Sequence, residues 1–377
     1  NMEHYLDNAA TTKPCAEAAA AVMSCISSHY GNPSSLHRKG LEAQHEVEYA
    51  RNQVAGALGC KAQEIVFTSG ATESTNLALC GAAAAYGRKR KKIITSAVEH
   101  ASVRETMAHL ETLGFTVVSV PPAEDGLYHA EDFLKEVDKD TCMVSIMLVN
   151  NENGYRMPVE EVFRTVKRRD PDIITHCDAV QGFLKVSFKP RTLCADLVSL
   201  SGHKVHALKG AGALYIRQGV RLKPVLYGSR QEKGLRPGTE GVPVIAAFGA
   251  AAEKLVLTMD ERYDAVSGLR SSLIEQLKEM DGVIIRDLPS ASPYVLNISL
   301  LGYRSEIVLH YLEQREVYIS SGSACSKGAS SGVLELFGAK PAEVDSALRI
   351  SFCSDNTEED IAALVQGLKD AQKDLMH

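Results

Sequence analysis

Between about residue 64 and residue 217 the chain alternates short apolar runs with segments whose apolar side chains recur every three or four positions. The short runs have strand length: Glu64–Phe67, Ile93–Ser96, Phe115–Val120, Thr141–Val149, Ile173–Cys177, Asp196–Leu200 and Gly212–Ile216. Helical spacing falls at Glu73–Tyr86, Ser102–Leu113, Asp132–Val137 and Val159–Arg168. Strand–helix alternation of this kind predicts an α/β fold with a mostly parallel sheet covered by helices on both faces. After Gly241 a long helical stretch, Val244–Met280, leads away from the sheet. The remainder predicts a smaller α+β unit. It has strands at Val283–Arg286, Tyr294–Ser299, Val317–Ile319 and Ala347–Phe352, a helix near Ile307, and a terminal helix opened by Thr357 and Asp360 as a capping box. No repeat or low-complexity linker separates the two parts, so they are expected to share an interface.

Composition narrows the class. The 377 residues are 45% hydrophobic and 23% charged, as in an ordinary soluble protein large enough for two domains. A net charge of −6 leaves no general footprint for nucleic acid. The one basic run, Arg88 to Lys92, follows an alanine-rich helix, where cations complement the dipole, with a docking patch for an acidic partner as the alternative. The cysteines at 15, 25, 60, 80, 142, 177, 194, 325 and 353 include no Cys-x-x-Cys pair, which argues against zinc and against a secreted disulfide framework. Neither a signal peptide nor an apolar stretch of membrane-spanning length is visible, so a reducing, cytoplasmic setting with no membrane partner is expected.

The candidate chemistry gathers at strand ends. Lys204 follows the run Ala195–Ser201 in a Ser-Gly-His-Lys turn, where open α/β sheets keep their ligands. A partly desolvated amine there can lose its proton near neutral pH and form a Schiff base. A lone lysine would simply be a surface residue, but Asp178 ends another strand. Lysine for an aldehyde and acid for a pyridinium nitrogen are the groups pyridoxal phosphate asks of a protein. Thr68–Ser74 follows a strand and opens a helix, an anion site if the amides are free and a plain cap by Ser69 or Thr72 otherwise. Gly210-Ala211-Gly212 precedes a strand, so it is no dinucleotide fingerprint. His100, Asn150-Asn151-Glu152 and Gln181 lie at the same expected edge. Ser320–Ser331 is different in kind: small and polar throughout, it carries Cys325 beside Lys327, the setting of a reactive thiol.

These motifs together resemble the cysteine desulfurases, pyridoxal-phosphate enzymes of the class V aminotransferase group. The resemblance runs from Tyr5–Thr12 and Gly31–Ser35 through Ser69–Glu73, Glu99-His100, Asn150–Glu152, Asp178–Gln181, Ser201–Lys204 and Arg236–Glu240 to the Cys325 loop. It implies fold type I, with a seven-stranded large domain at residues 13–253. Residues 1–12 and 254–377 would form the small domain, carrying the catalytic loop at 320–333. The roles it implies are these. Lys204 holds the cofactor, Asp178 meets its ring nitrogen, His100 stacks on the ring, and Asn151 and Gln181 approach its oxygen. Ala71, Thr72, Ser201 and His203 bind the phosphate, joined by Thr239 from a second subunit of a homodimer. Arg349, with Asn32 and Asn151, binds the substrate. The long loop is similar to that of the subgroup with an extended catalytic loop. Departures stand at His206-Ala207-Leu208-Lys209, Gly228–Glu232 and Gly241, beside the cofactor residues rather than on them.

The implied reaction takes sulfur from L-cysteine, leaving L-alanine and a persulfide on Cys325, with Lys204 moving the Cα proton and His100 assisting. The sulfur would pass to an iron–sulfur scaffold or a tRNA-thiolating enzyme. No resident metal is expected, although Cys325 could touch an iron–sulfur cluster during transfer. A selenocysteine lyase, a cysteine sulfinate desulfinase, an aminotransferase and a non-catalytic sulfur carrier are the alternatives.

Overall fold

The structure is a computed structural model, and it describes residues 2–323 and 329–376. Strand β1 (His4–Tyr5) and helices α1 (Ala16–Ser27) and α2 (Arg38–Leu58) precede the main sheet. The sheet elements then follow in order: β2 (Ile65–Thr68), α3 (Ala71–Tyr86), β3 (Lys92–Ser96), α4 (Ala101–Thr112), β4 (Thr116–Val120) and α5 (Ala130–Leu134). Next come β5 (Thr141–Ser145), α6 (Val159–Arg169), β6 (Ile174–Asp178), α7 (Pro190–Leu193), β7 (Leu197–Ser201) and β8 (Gly212–Ile216). These strands form one seven-stranded sheet in the order β2-β8-β7-β6-β5-β3-β4. Only β8 runs antiparallel to its neighbours. The C-terminal ends of β2, β3, β5, β6 and β7 and the start of β8 therefore share one edge, and that edge builds the site.

The strands β5, β6 and β7 are buried at every position, polar residues such as Ser145, His176 and Ser199 included, as central strands of a sheet covered on both faces are. The run expected at Thr141–Val149 stops being regular strand at Ser145, yet Ile146 and Leu148 still donate to the carbonyls of His176 and Asp178. Asn150 ends it: its side-chain oxygen accepts from the amides of Glu152 (2.9 Å) and Asn153 (3.2 Å), turning the chain at the sheet edge.

Helices α1 and α2 have no counterpart among the sequence-based expectations. In α2 the buried positions Gly40, Ala43, Val47, Ala50, Val54 and Leu58 recur every three or four residues, a stripe that the charged residues between them mask. This stripe packs against α8 (Val242–Val256), where Gly249 allows the approach: a Cβ there would lie 2.7 Å from the Ala50 Cα. The stretch expected as one helix is in fact α8 and α9 (Met259–Lys278), bent by 77° at Leu257-Thr258. Arg262 holds the corner. Its Nη2 donates to the carbonyls of Leu255 (2.7 Å) and Leu184 (2.8 Å), joining the end of α8 to the loop that carries Leu184.

The rest of the chain comprises β9 (Val283–Arg286), β10 (Val295–Leu300), α10 (Ser305–Glu313), β11 (Val317–Tyr318), β12 (Ser320–Ser321), α11 (Val333–Leu336), α12 (Pro341–Asp345), β13 (Ala347–Ser351) and α13 (Glu358–Asp374). A four-stranded antiparallel sheet, β12-β13-β10-β9, packs on α9 and α13 around its own core of Leu273, Leu296, Ile298, Leu348, Ile350 and Leu364. Asp360 accepts from the Thr357 amide at 3.0 Å, the cap expected for α13. The N-terminal strand β1 pairs with β11, and Leu6 accepts from Ser351. The chain from Asp7 to Thr12 then crosses from the second sheet to the edge of the first. Among the described residues no single helix is long and apolar enough to cross a membrane.

Candidate active site

A cavity of about 710 Å³ opens at the shared strand edge. One corner is built for an anion. The first turn of α3 starts at Gly70 with no side-chain cap, since Ser69 turns its hydroxyl to Glu73 (2.7 Å). The sequence-based option of a plain cap by Ser69 or Thr72 is therefore not realised, and Ala71 and Thr72 present their end of the helix to the cavity. Gly212 lets the helix start sit this close to β8, because a Cβ would lie 2.6 Å from the Gly70 backbone. The Ser201 hydroxyl, at the end of β7, is buried at the same corner with no partner. His203 lies beside it, its Nδ1 3.0 Å from the Thr11 hydroxyl, and burial with the nearby Lys204 charge pushes its pKa down to about 4. Free helix amides, a buried hydroxyl without a partner and a neutral imidazole suit a phosphate.

Lys204 reaches the cavity floor. Its Nζ donates to the carbonyls of Ala9 (2.6 Å) and Ala10 (2.7 Å), so the N-terminal segment aims the amine. Burial, then the Arg349 charge, lowers its pKa to about 8. Asp178 ends β6, buried, with Oδ1 accepting from the Val180 amide at 3.0 Å. Burial raises its pKa, while the His100 and Lys204 charges and that amide pull the other way. A buried carboxyl in this state is best satisfied by a protonated ring nitrogen. His100 caps α4: its Nδ1 accepts from the Ser102 amide at 3.1 Å, so the neutral ring carries its proton on Nε2. Its pKa lies below the ordinary value, through lost hydration first and the Lys204 and Arg104 charges next, with Asp178 opposing.

Arg349 sits in β13, between β12 and β10, and is almost fully buried. Its Nη1 donates to the Asn151 carbonyl (2.9 Å) and Nη2 lies 3.4 Å from Asp7 Oδ1, while Nε has no partner. A guanidinium with a buried donor to spare, at the cavity wall, suits a carboxylate. Asn151 and Gln181 also line the cavity, and Gln181 Nε2 donates to the Ala9 carbonyl at 3.1 Å.

Two of the residues assigned from sequence stand apart. Asn32 is exposed and outside the cavity, because its side-chain oxygen closes a turn on the Ser34 amide (2.9 Å) ahead of α2. Thr239 is also exposed and lines a neighbouring hollow with Ser69 and Gly210. Arg236 ties that segment to the start of α3 through Glu73 (3.0 Å). Cys325 lies outside the described residues. Sequence reasoning in turn gave no role to Asp7, Ala9 and Ala10, although the Tyr5–Thr12 run carried part of the resemblance, nor to Glu99 and Arg104 at the cavity wall.

The residues present fit pyridoxal phosphate: an amine near pKa 8, a buried acid, a histidine at the cavity wall and an anion corner with an unpartnered hydroxyl. Fold and site thus define a fold-type-I enzyme of the kind that uses this cofactor. Residues 4–364 match the aminotransferase class-V family, and the chain belongs to that family. A NifS/IscS protein homologue of Lactobacillus delbrueckii subsp. bulgaricus is 40% identical over 361 residues, covering 94% of both chains. A cysteine desulfurase of Nostoc sp. is 38% identical over 366 residues, covering 96% of this chain and 91% of the relative. A solved NifS-like protein superposes with a TM-score of 0.94 at 37% identity, over 99% of this chain and 100% of that one. The structure titled "SspA in complex with cysteine" gives 0.81 at 30% identity, over 94% of this chain and 100% of that one. Class-V aminotransferases and NifS-like cysteine desulfurases are pyridoxal-phosphate enzymes in general.

Proposed function

We propose that the chain is a cysteine desulfurase, which takes sulfur from L-cysteine, releases L-alanine and holds the sulfur as a persulfide on Cys325. The observation that carries this reading is the convergence of Lys204, Asp178 and Arg349 on one cavity, in a chain of which the Nostoc relative is a named cysteine desulfurase. Pyridoxal phosphate, held by Lys204, supplies an electron sink that makes the substrate Cα proton acidic and its C–S bond labile.

The chain's own groups do the rest. Ala71, Thr72, Ser201 and His203 would hold the phosphate, Asp178 would keep the ring nitrogen protonated, and Asn151 and Gln181 would be available to the ring oxygen. Arg349 takes the substrate carboxylate on its free Nε and orients Cα toward Lys204. With a pKa near 8, Lys204 has a neutral fraction at neutral pH large enough to act as the base. The Ala9 and Ala10 carbonyls occupy two N–H donors of the neutral amine and leave the lone pair for the proton. His100, neutral with its proton on Nε2, can return a proton to carbon. The Cys325 thiolate attacks the substrate sulfur: an S–S bond forms, the C–S bond breaks, and its electron pair stays on carbon to be protonated as alanine.

The functional unit is a homodimer in which Thr239 of each chain completes the phosphate corner of the other. Supporting this, Thr239 is exposed on its own chain, as are the apolar Tyr30, Leu36, Leu41 and Tyr49 and, in the segment leading to Thr239, Tyr227. An acceptor protein for the persulfide sulfur completes the cycle. The test is incubation with L-cysteine alone, measuring alanine and mapping the persulfide by mass spectrometry. Wild type should give stoichiometric persulfide on Cys325 and alanine, and Cys325→Ala neither. Alanine released by Cys325→Ala at the wild-type rate removes the covalent role.

A further inference from the structure

Glu152 is a buried carboxylate at the cavity wall that the reaction above does not use. Both its oxygens accept from the Ser331 hydroxyl, at 2.7 and 2.9 Å. Its backbone carbonyl accepts from Asn297 Nδ2 (2.8 Å), and the same amide donates to the Gly322 carbonyl (3.0 Å). Arg286 fixes that amide by donating to its oxygen at 2.9 Å. Arg104 Nη1 donates to the Ser331 carbonyl (3.2 Å), and the Ser331 amide donates to the Ser323 carbonyl (3.1 Å). Gly322–Ser323 and Ser331 are the two feet of the segment that carries Cys325. One residue is thus bonded to both feet, through its side chain to one and through Asn297 to the other.

We propose that Glu152 is a positioning residue, which in its ionised form clasps the feet of the Cys325 segment at the cavity wall so that the thiol is delivered to bound substrate. The proposal rests on the desulfurase reading for what the thiol does, but the clasp itself is a property of described residues. A charged acceptor strengthens the Ser331 bond relative to a neutral one. The charged groups around Glu152 are Arg349 from β13, Arg104 from α4 and Glu335 from α11. The arginines favour the ionised form and Glu335 opposes it, while burial raises the pKa to about 7. The clasp is therefore tight above about pH 7 and slackens below it.

The test uses the holoenzyme and three variants, Glu152→Gln, Ser331→Ala and Ser331→Thr. Hydrogen exchange at the Ser331 and Val333 amides, compared with wild type at each pH, reads the clasp without any turnover. At pH 8 it should quicken about tenfold in Glu152→Gln and Ser331→Ala, the loss of one charge-assisted bond. In Ser331→Thr, which keeps the hydroxyl, it should stay near wild type. Single-turnover persulfide formation should fall by a similar factor at pH 8, with KM for cysteine and the cofactor absorbance unchanged. The wild-type to Glu152→Gln rate ratio should approach one at pH 6 and climb through about pH 7. Equal exchange in all four proteins at pH 8, or a rate ratio flat with pH, overturns the proposal. Altered exchange in an enzyme that makes no persulfide would keep the clasp and sink the desulfurase reading instead.

Discussion

Glu99 shows how much one buried carboxyl can do to a protein's pH response. One of its oxygens accepts from Ser96 Oγ and from the Met147 amide (3.1 Å), and the other is buried with no partner. Burial, with Asp178 nearby, pushes its pKa up to about 8. A folded-state pKa raised above the ordinary carboxylate value means stability that is present at low pH and lost as pH rises through about 8. Glu99→Gln should therefore leave the melting temperature unchanged at about pH 4, where the carboxyl is protonated in both the folded and the unfolded chain. At pH 9 the variant should melt a few degrees above wild type; a lower melting temperature than wild type at pH 9 would refute the assignment. Lys204, Asp178 and His100 were legible in the sequence because each stands at the end of a strand-length run or within four residues of it. Glu152 was legible as a strand-end residue, but its task was not. Its partners Ser331, Asn297 and Gly322 lie far along the chain, and only the second sheet's pairing brings them together.

At the scale of elements, β2 to β4 and β6 to β8 were readable to within a residue, because each is a short run rich in aliphatic residues, whereas β5 ends at Ser145, short of the expected Val149. The α8–α9 corner was not. Apolar spacing continues across Leu257-Thr258, and the turn is fixed by Arg262, whose carbonyl partners include Leu184 from a distant loop. Arg262→Met should leave the buried Leu184 carbonyl without its donor, at about 1–3 kcal/mol, while the Leu255 carbonyl keeps the amides of Leu257 and Thr258. The readout is a lower urea midpoint with an unchanged slope; a midpoint equal to wild type shows that the corner holds without it. Helix α1 escaped notice for a plainer reason: Ala16 to Val22 gives almost no contrast between its faces. The start of α3 illustrates an element acting as a ligand group. Ser201→Ala removes the buried hydroxyl beside it and should weaken pyridoxal phosphate binding about tenfold, read by titrating the apoprotein spectroscopically. Unchanged affinity would place the phosphate elsewhere.

At the scale of the whole molecule, the position of Thr239 bears on assembly. It sits across Ser69 and Gly210 from the anion corner, exposed, on a segment anchored to α3 by Arg236 and Glu73. A threonine turned outward beside an anion site can serve a neighbouring chain, and the exposed Tyr30, Leu36 and Tyr227 give such a neighbour apolar surface to cover. Sedimentation should then show twice the mass of the chain. The sharper test is complementation. Lys204→Ala lacks the amine, and Thr239→Asp sets a negative charge against the phosphate, so each homodimer should be inactive. In a mixed dimer under the shared arrangement, the Thr239→Asp chain keeps its own Lys204 and receives Thr239 from the Lys204→Ala chain. One intact site results, so alanine formation should return to about half the wild-type value per mixed dimer, or about a quarter over a 1:1 population mixed at random. If Thr239 served its own chain, every site in the mixture would remain defective and no activity would return.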